Sequence, residues 1–200
     1  MCCEDKVLGS SRYVKNSCLT FEKLMGRKRI ILSPDVAVEK MHRMALEAAE
    51  QLSGDDTELI VIGIEGAGKF GTKGAGKFIA TKITDYLRQY LSCPITLISL
   101  HLDKHAPSAI TLSDEISFDN KNILLIDDVS NSGKTLLYAL KPLMQFQPKR
   151  IQTLVLVERM HKLFPIKPDY VGYSIATASG DYIHVEQEDG NVHAVMDSGD

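Results

Sequence analysis

Residues 122–135, Asn-Ile-Leu-Leu-Ile-Asp-Asp-Val-Ser-Asn-Ser-Gly-Lys-Thr, constrain the fold of this 200-residue chain more than any other stretch. Ile123 to Ile126 form an apolar run between a polar residue and a carboxylate pair, the pattern of a strand buried on both faces of a parallel sheet. Asp127 and Asp128 then fall at its carboxyl end, where open α/β sheets place their ligands. Ser130 to Thr135 is a short polar loop with one glycine, and helix follows from about Lys134 or Leu136 onward. The hydroxyls and backbone N–H groups of such a loop form a phosphate cradle. Two acids beside a phosphate cradle suit a sugar phosphate, with carboxylates on the ribose hydroxyls and the loop on the phosphate. An ordinary strand–turn–helix with surface acids would give the same letters.

The rest of the chain alternates strand and helix. Residues 1–28 are polar and irregular, run into the basic cluster Arg27-Lys28-Arg29, and read as an extension outside a single domain of residues 29–200. Ser33-Pro34-Asp35 starts a helix, and Val38, Met41, Ala45 and Leu52 keep its three-to-four spacing up to Ser53-Gly54. A strand is expected over 59–64, a helix over 78–91 and a strand over 95–100. Residues 101–118 read as a long loop, 134–144 as a helix disturbed by Pro142, and 151–157 as a strand. Short strand-like pieces, 171–176 and 183–186, end the pattern. Such alternation means a mostly parallel, doubly wound α/β sheet flanked by helices.

The bulk properties exclude several classes. No apolar run is long enough to cross a bilayer, and the first residues lack the apolar core of a secretory signal. Cys2, Cys3, Cys18 and Cys93 have no metal-ligand spacing, so reduced thiols in a cytoplasmic protein are expected. The net charge of −3 disfavours RNA as a partner without excluding a local basic face.

Two glycine-rich matches compete with the acid-pair motif. Gly63 to Lys69 and Gly71 to Lys77 each satisfy Gly-x4-Gly-Lys, yet Phe70 and Phe78 stand where a nucleotide hydrolase needs a hydroxyl for Mg²⁺. Gly66-x-Gly68-x-x-Gly71 fits a dinucleotide fingerprint but lacks a clear strand-end acid about 20 residues on. A glycine-bearing turn holding pyrophosphate through backbone N–H groups unites this stretch with residues 122–135.

The segment Asp127-Asp128-Val129-Ser130-Asn131-Ser132-Gly133-Lys134-Thr135 resembles the phosphoribosyl-pyrophosphate (PRPP) motif of type I phosphoribosyltransferases. Residues 134–144, 151–162 and Phe164-Pro-Ile-Lys-Pro-Asp-Tyr-Val-Gly-Tyr173 narrow the likeness to the pyrimidine-operon attenuator/uracil phosphoribosyltransferase family, over about 30 to 188. The resemblance implies the type I phosphoribosyltransferase fold with a small hood. It implies transfer of ribose 5-phosphate from PRPP to a nucleobase, best matched by uracil, to give UMP and pyrophosphate. Asp127 and Asp128 would be catalytic, and Val129, Ser130, Asn131, Ser132, Gly133, Lys134 and Thr135 would bind the 5′-phosphate. Glu65, Gly66, Ala67, Gly68 and Lys69 would bind pyrophosphate, Asp103, Lys104 and His105 would form a flexible loop, and Tyr170 and Val171 would hold the base. Mg²⁺ would come with PRPP, without a firm protein ligand, and a homodimer or higher homo-oligomer is expected.

Departures from the family pattern bear on function. Glu65-Gly66-Ala67-Gly68 replaces the usual Thr-Arg-Gly turn, so Lys69 or Lys73 would have to supply the missing charge. Leu46 follows Arg43-Met44-Ala45 where RNA-binding members have histidine. Hypoxanthine-type relatives carry an aspartate at Asn131 and a lysine at Glu158, which favours a pyrimidine here. The alternatives are a non-catalytic PRPP- or nucleotide-sensing regulator and a P-loop hydrolase.

Overall fold

A computed structural model describes residues 28–66, 74–102, 110–178 and 180–198. Its elements run β1 (Lys28–Leu32), α1 (Pro34–Leu52), β2 (Leu59–Gly66), α2 (Ala75–Tyr90), β3 (Ile95–Leu102), β4 (Ile110–Leu112) and β5 (Asn122–Ser130). They continue as α3 (Lys134–Ala139), a 3₁₀ turn (Lys141–Gln145), β6 (Arg150–Arg159), β7 (Tyr170–Ile175), β8 (Tyr182–Glu188) and β9 (Asn191–Asp197).

Six strands form a sheet of order β4-β3-β2-β5-β6-β7, parallel except for the edge strand β4. From β2 the chain winds through α2 outward to β3, and from β5 through α3 the other way to β6. The reversal leaves a crevice at the carboxyl ends of β2 and β5, the topological switch point where doubly wound sheets bind ligands.

Both faces of the sheet are covered, which is why its strands read as continuous apolar runs. Leu59 and Val61 face α1 and α2, against Met41, Met44, Ala45, Ile79 and Ile83. Ile60, Ile62 and Ile64 face the other way, with Leu136, Leu143 and Phe118. A three-stranded antiparallel hood, β1-β9-β8, packs Ile183, Val185, Val192 and Ala194 onto the α1–α2 core.

Four sequence expectations change. Lys28 belongs to strand β1 rather than to a polar extension, because it pairs with Asp197 in the ladder and bonds Glu186. Residues 110–112 form β4 and Phe118 is fully buried against Phe146, so the latter part of 101–118 is packed rather than loop. The helix over 134–144 stops at Ala139 and becomes a 3₁₀ turn at Pro142, whose ring and missing N–H do not fit a helix interior. Strand β9 went unread, although Asp189-Gly190, with φ of 48° and 75°, is the two-residue hairpin turn that announces it.

Candidate functional site

Strand β5 runs further than its apolar stretch. Its ladder with β2 ends at Gly63↔Ile126, but β6 continues the pairing through Asp127↔Val155 and Val129↔Val157 to Ser130↔Glu158. The acids therefore lie in the strand, and the loop starts at Asn131 rather than Ser130. Asp127 is buried, and its Oδ1 accepts the Asp128 N–H at 3.0 Å. Asp128 Oδ1 accepts the Val129 N–H at 2.8 Å. One oxygen of each acid is thus fixed by backbone, which orients the carboxylate.

The loop after β5 is clamped from behind. The Ser132 carbonyl accepts the N–H groups of Leu163 and Phe164, both at 3.1 Å, from the β6–β7 connection. Lys162 Nζ donates to the Ser130 carbonyl at 2.8 Å and to its hydroxyl at 2.7 Å, and pairs with Glu158 at 3.3 Å. Burial lowers the pKa of the Lys162 ammonium while Glu158 opposes that shift. Gly133 caps α3 with φ of 84°, and a Cβ there would lie 3.1 Å from Ile166 Cγ2 and 3.3 Å from the Phe164 carbonyl oxygen. Both the left-handed backbone and the close approach demand glycine.

In front of the loop lies a cavity of about 170 Å³, lined by Asp127, Val129 to Leu136, Leu102, Tyr138 and, from the hood, Tyr182. Asn131 Nδ2 donates to the Ile183 carbonyl at 3.0 Å, tying the loop to the strand that carries Tyr182. Asp127, the phosphate-type loop and the aromatic thus meet around one volume.

The α2 side completes the crevice. A Cβ on Gly76 would lie 2.3 Å from the Ile64 carbonyl oxygen and 3.6 Å from Asp127 Cα, so the first turn of α2 touches both strand ends. Glu65 is ion-paired with Lys77 Nζ at 2.7 Å and His101 Nδ1 at 3.3 Å. The Lys77 bond foremost, with help from Ser99 and His101, holds the Glu65 carboxyl below its ordinary range against a desolvation penalty. Gly66 ends β2. Ala67, Gly68, Lys69 and Lys73 of the expected pyrophosphate loop, and the loop residues Asp103, Lys104 and His105, lie outside the described residues.

The structure does not bring Tyr170 and Val171 to this site. Tyr170 is 2% exposed within the α1-side core, and burial pushes its phenol pKa up. The Val171 carbonyl is occupied by Arg43 Nη2 at 2.7 Å. Sequence reading missed Tyr182 and Lys162, and weighed Lys77 only as the lysine of a P-loop-like match. Gly180-Asp181 just before Tyr182, a break followed by an aromatic opening a strand, was the available signal; nothing local distinguishes Lys162.

The sequence matches the phosphoribosyl transferase domain over residues 37–188. This chain belongs to the phosphoribosyltransferase family. It is a type I phosphoribosyltransferase of the PyrR kind. The Bifunctional protein PyrR of Limosilactobacillus reuteri is 32% identical over 163 residues, 76% of this chain and 86% of that protein. The PyrR of Elusimicrobium minutum is 35% identical over 156 residues, covering 73% and 82%. A hypoxanthine-guanine phosphoribosyltransferase from Bacillus anthracis shares the fold at TM-score 0.62 and 18% identity, over 83% of this chain and 96% of that one. A point mutant of the Trypanosoma cruzi hypoxanthine phosphoribosyltransferase does so at 0.66 and 14%, over 86% and 96%. No helix among the described residues is long and apolar enough to cross a membrane.

Proposed function

We infer that the protein transfers the 5-phosphoribosyl group of PRPP to a nucleobase, with uracil the base its site fits best. The observation that carries this reading is the direct passage from the acid pair, with Asp127 buried, into a clamped loop that lines a cavity with Tyr182. The loop of Ser130 to Thr135 would hold the 5′-phosphate. Asp127 and Asp128 would take the ribose hydroxyls and face the positive charge that grows at C1′. A base nitrogen bonds to C1′ as the C1′–O bond breaks, and pyrophosphate leaves with the electron pair. Tyr182, rather than Tyr170, stands where a planar base can stack, with the neighbouring Ile183 backbone fixed by Asn131.

Magnesium fits this donor set. Two oriented carboxylates stand beside a phosphate loop, and among the described residues no ready-made cluster of three metal-ligating side chains exists. Bound through substrate phosphates, it would neutralise the leaving pyrophosphate.

Two positions support a pyrimidine. The Asn131 amide nitrogen donates to the hood carbonyl, and a neutral amide cannot serve as acid or base. The Glu158 carboxylate is taken by the Ser174 hydroxyl and Lys162, so it offers no donor to a purine oxygen. At equal PRPP and Mg²⁺, pyrophosphate release with uracil should exceed that with hypoxanthine by at least about tenfold, roughly 1.4 kcal/mol in the transition state. Equal or faster reaction with hypoxanthine would overturn the base assignment. A second reading is a regulator that senses PRPP or a nucleotide. PRPP binding without turnover of any base would select it. RNA contact through Arg43 is disfavoured, since its guanidinium is bound to Glu47 and to the β7 carbonyls of Val171 and Gly172.

A further inference from the structure

We propose that Lys77, parked on Glu65 at the mouth of the crevice, is the cation that receives the pyrophosphate of PRPP, and that Glu65 sets its availability. This inference rests on the PRPP reading of the site.

Three described lysines stand near the crevice, and their surroundings separate them. Lys162 is committed inward, with its side chain 15% exposed and its ammonium on Ser130 and Glu158. Lys134 lies on the α3 side, its Nζ 5.7 Å from the Tyr138 ring centroid. Lys77 opens α2 on the opposite side of the acid pair, and its side chain is 55% exposed. The backbone fixes its place closely. A Cβ on Gly63 would lie 2.9 Å from Lys77 Cα, and one on the adjacent Gly76 would lie 3.6 Å from Asp127 Cα. A ribose held by Asp127 and Asp128, with its 5′-phosphate in the loop, must carry its pyrophosphate away from that loop. The β2 side of the crevice, where Lys77 and His101 flank Glu65, is the place left for it.

Glu65 alone would repel a pyrophosphate. Paired with Lys77 it is neutralised, and its lowered pKa keeps it ionised and able to hold the lysine. The lysine end of the pair is 55% exposed on a flexible stem, whereas the Glu65 oxygen that faces it is buried. The ammonium can therefore reach toward a more highly charged phosphate group while its stem stays beside the carboxylate. The two residues then have opposite effects: removing Lys77 deletes the cation, whereas neutralising Glu65 releases it.

The test titrates wild type, Lys77→Met, Lys77→Arg and Glu65→Gln with PRPP, inorganic pyrophosphate and ribose 5-phosphate at constant Mg²⁺. Lys77→Met should weaken PRPP and pyrophosphate by about tenfold or more, which is 1.4 kcal/mol, and leave ribose 5-phosphate within about twofold. Lys77→Arg should recover most of the loss. Glu65→Gln should bind PRPP as tightly as wild type or more tightly, an outcome that a purely structural ion pair would not give. Unchanged PRPP affinity in a folded Lys77→Met, or a loss in Glu65→Gln matching it, overturns the inference while the PRPP reading stands. A wild type that binds neither PRPP nor ribose 5-phosphate overturns both.

Discussion

Gly76→Ala should destabilise the protein, against the direction that helix propensity gives. Gly76 lies in the first turn of the sixteen-residue helix α2, and alanine there gains about 1 kcal/mol of intrinsic helix preference. The added Cβ, however, would stand 2.3 Å from the Ile64 carbonyl oxygen. Non-bonded heavy atoms rest at about 3.5 Å, so the helix must withdraw by roughly 1 Å. The obstacle is backbone of a central strand, with no side chain to turn aside. Overpacking of this kind costs about 1–3 kcal/mol, and the upper end applies where nothing can yield. The net loss is about 2 kcal/mol, or about 4–8 °C in Tm for a domain of this size. Because Asp127 Cα would be only 3.6 Å from the same Cβ, the displacement reaches the acid pair, and PRPP affinity should fall with stability. Gly74→Ala is the control. Its φ of 85° strains alanine by about 1–2 kcal/mol, but no atom lies within 4 Å, so stability should drop without the loss in affinity. Differential scanning calorimetry and PRPP titration read both variants. A Gly76→Ala protein melting at or above wild type would refute the packing argument.

Other outcomes follow from the same geometry. Asp127→Asn with Asp128→Asn should weaken PRPP by at least about a hundredfold in a folded protein, since two charge-assisted contacts go; unchanged affinity by calorimetry would remove the central assignment. Tyr170→Phe should leave base turnover unchanged and shift stability by less than about 1 kcal/mol, because the buried hydroxyl makes no well-formed hydrogen bond, whereas Tyr182→Ala should raise KM for the base severalfold. If Tyr170→Phe raises that KM and Tyr182→Ala does not, the two tyrosines have been assigned the wrong way round. The bond to Lys28 lowers the Glu186 carboxyl pKa from an ordinary 4.5 and raises the Lys28 pKa from 10.5, so the pair supports β1 between those values. Glu186's contribution is lost as pH falls through its depressed pKa, and Lys28's as pH rises past 10.5 through its elevated one. Hydrogen exchange of β1 amides should therefore quicken, relative to β5, as pH falls below about 4.5; protection that holds steady through that acid range would contradict it.

What the sequence discloses follows how local each feature is. The segment proposed to hold the phosphate was legible as one unit because Asp127 to Thr135 are consecutive, and strand, acids and loop keep their order in space. The doubly wound core was readable for a similar reason, since strands buried on both faces stay apolar throughout. Two of the hood's strands were hidden because β1 is largely exposed and lacks a clear alternation, and its partner β9 lies at the other end of the chain. Tyr170 misled because a tyrosine after Pro-Asp looks the same whether or not α1 covers it, and burial emerges once Arg43 draws α1 onto β7. Lys77 and Glu65 stand apart in sequence with unremarkable neighbours, and their pairing arises from α2 folding back over the tip of β2.

The hood's ladder joins Lys28 to Asp197. A contact between residues so far apart in sequence closes a very long loop, and such contacts form after local ones have been made. The β5–loop–α3 unit needs no such closure. A chain emerging from the ribosome can therefore shape the loop proposed to hold the sugar phosphate while Tyr182 still has no sheet to stand in. Ligand that enters early meets a cradle open above the base, and the site acquires its roof when the last strand pairs with the first.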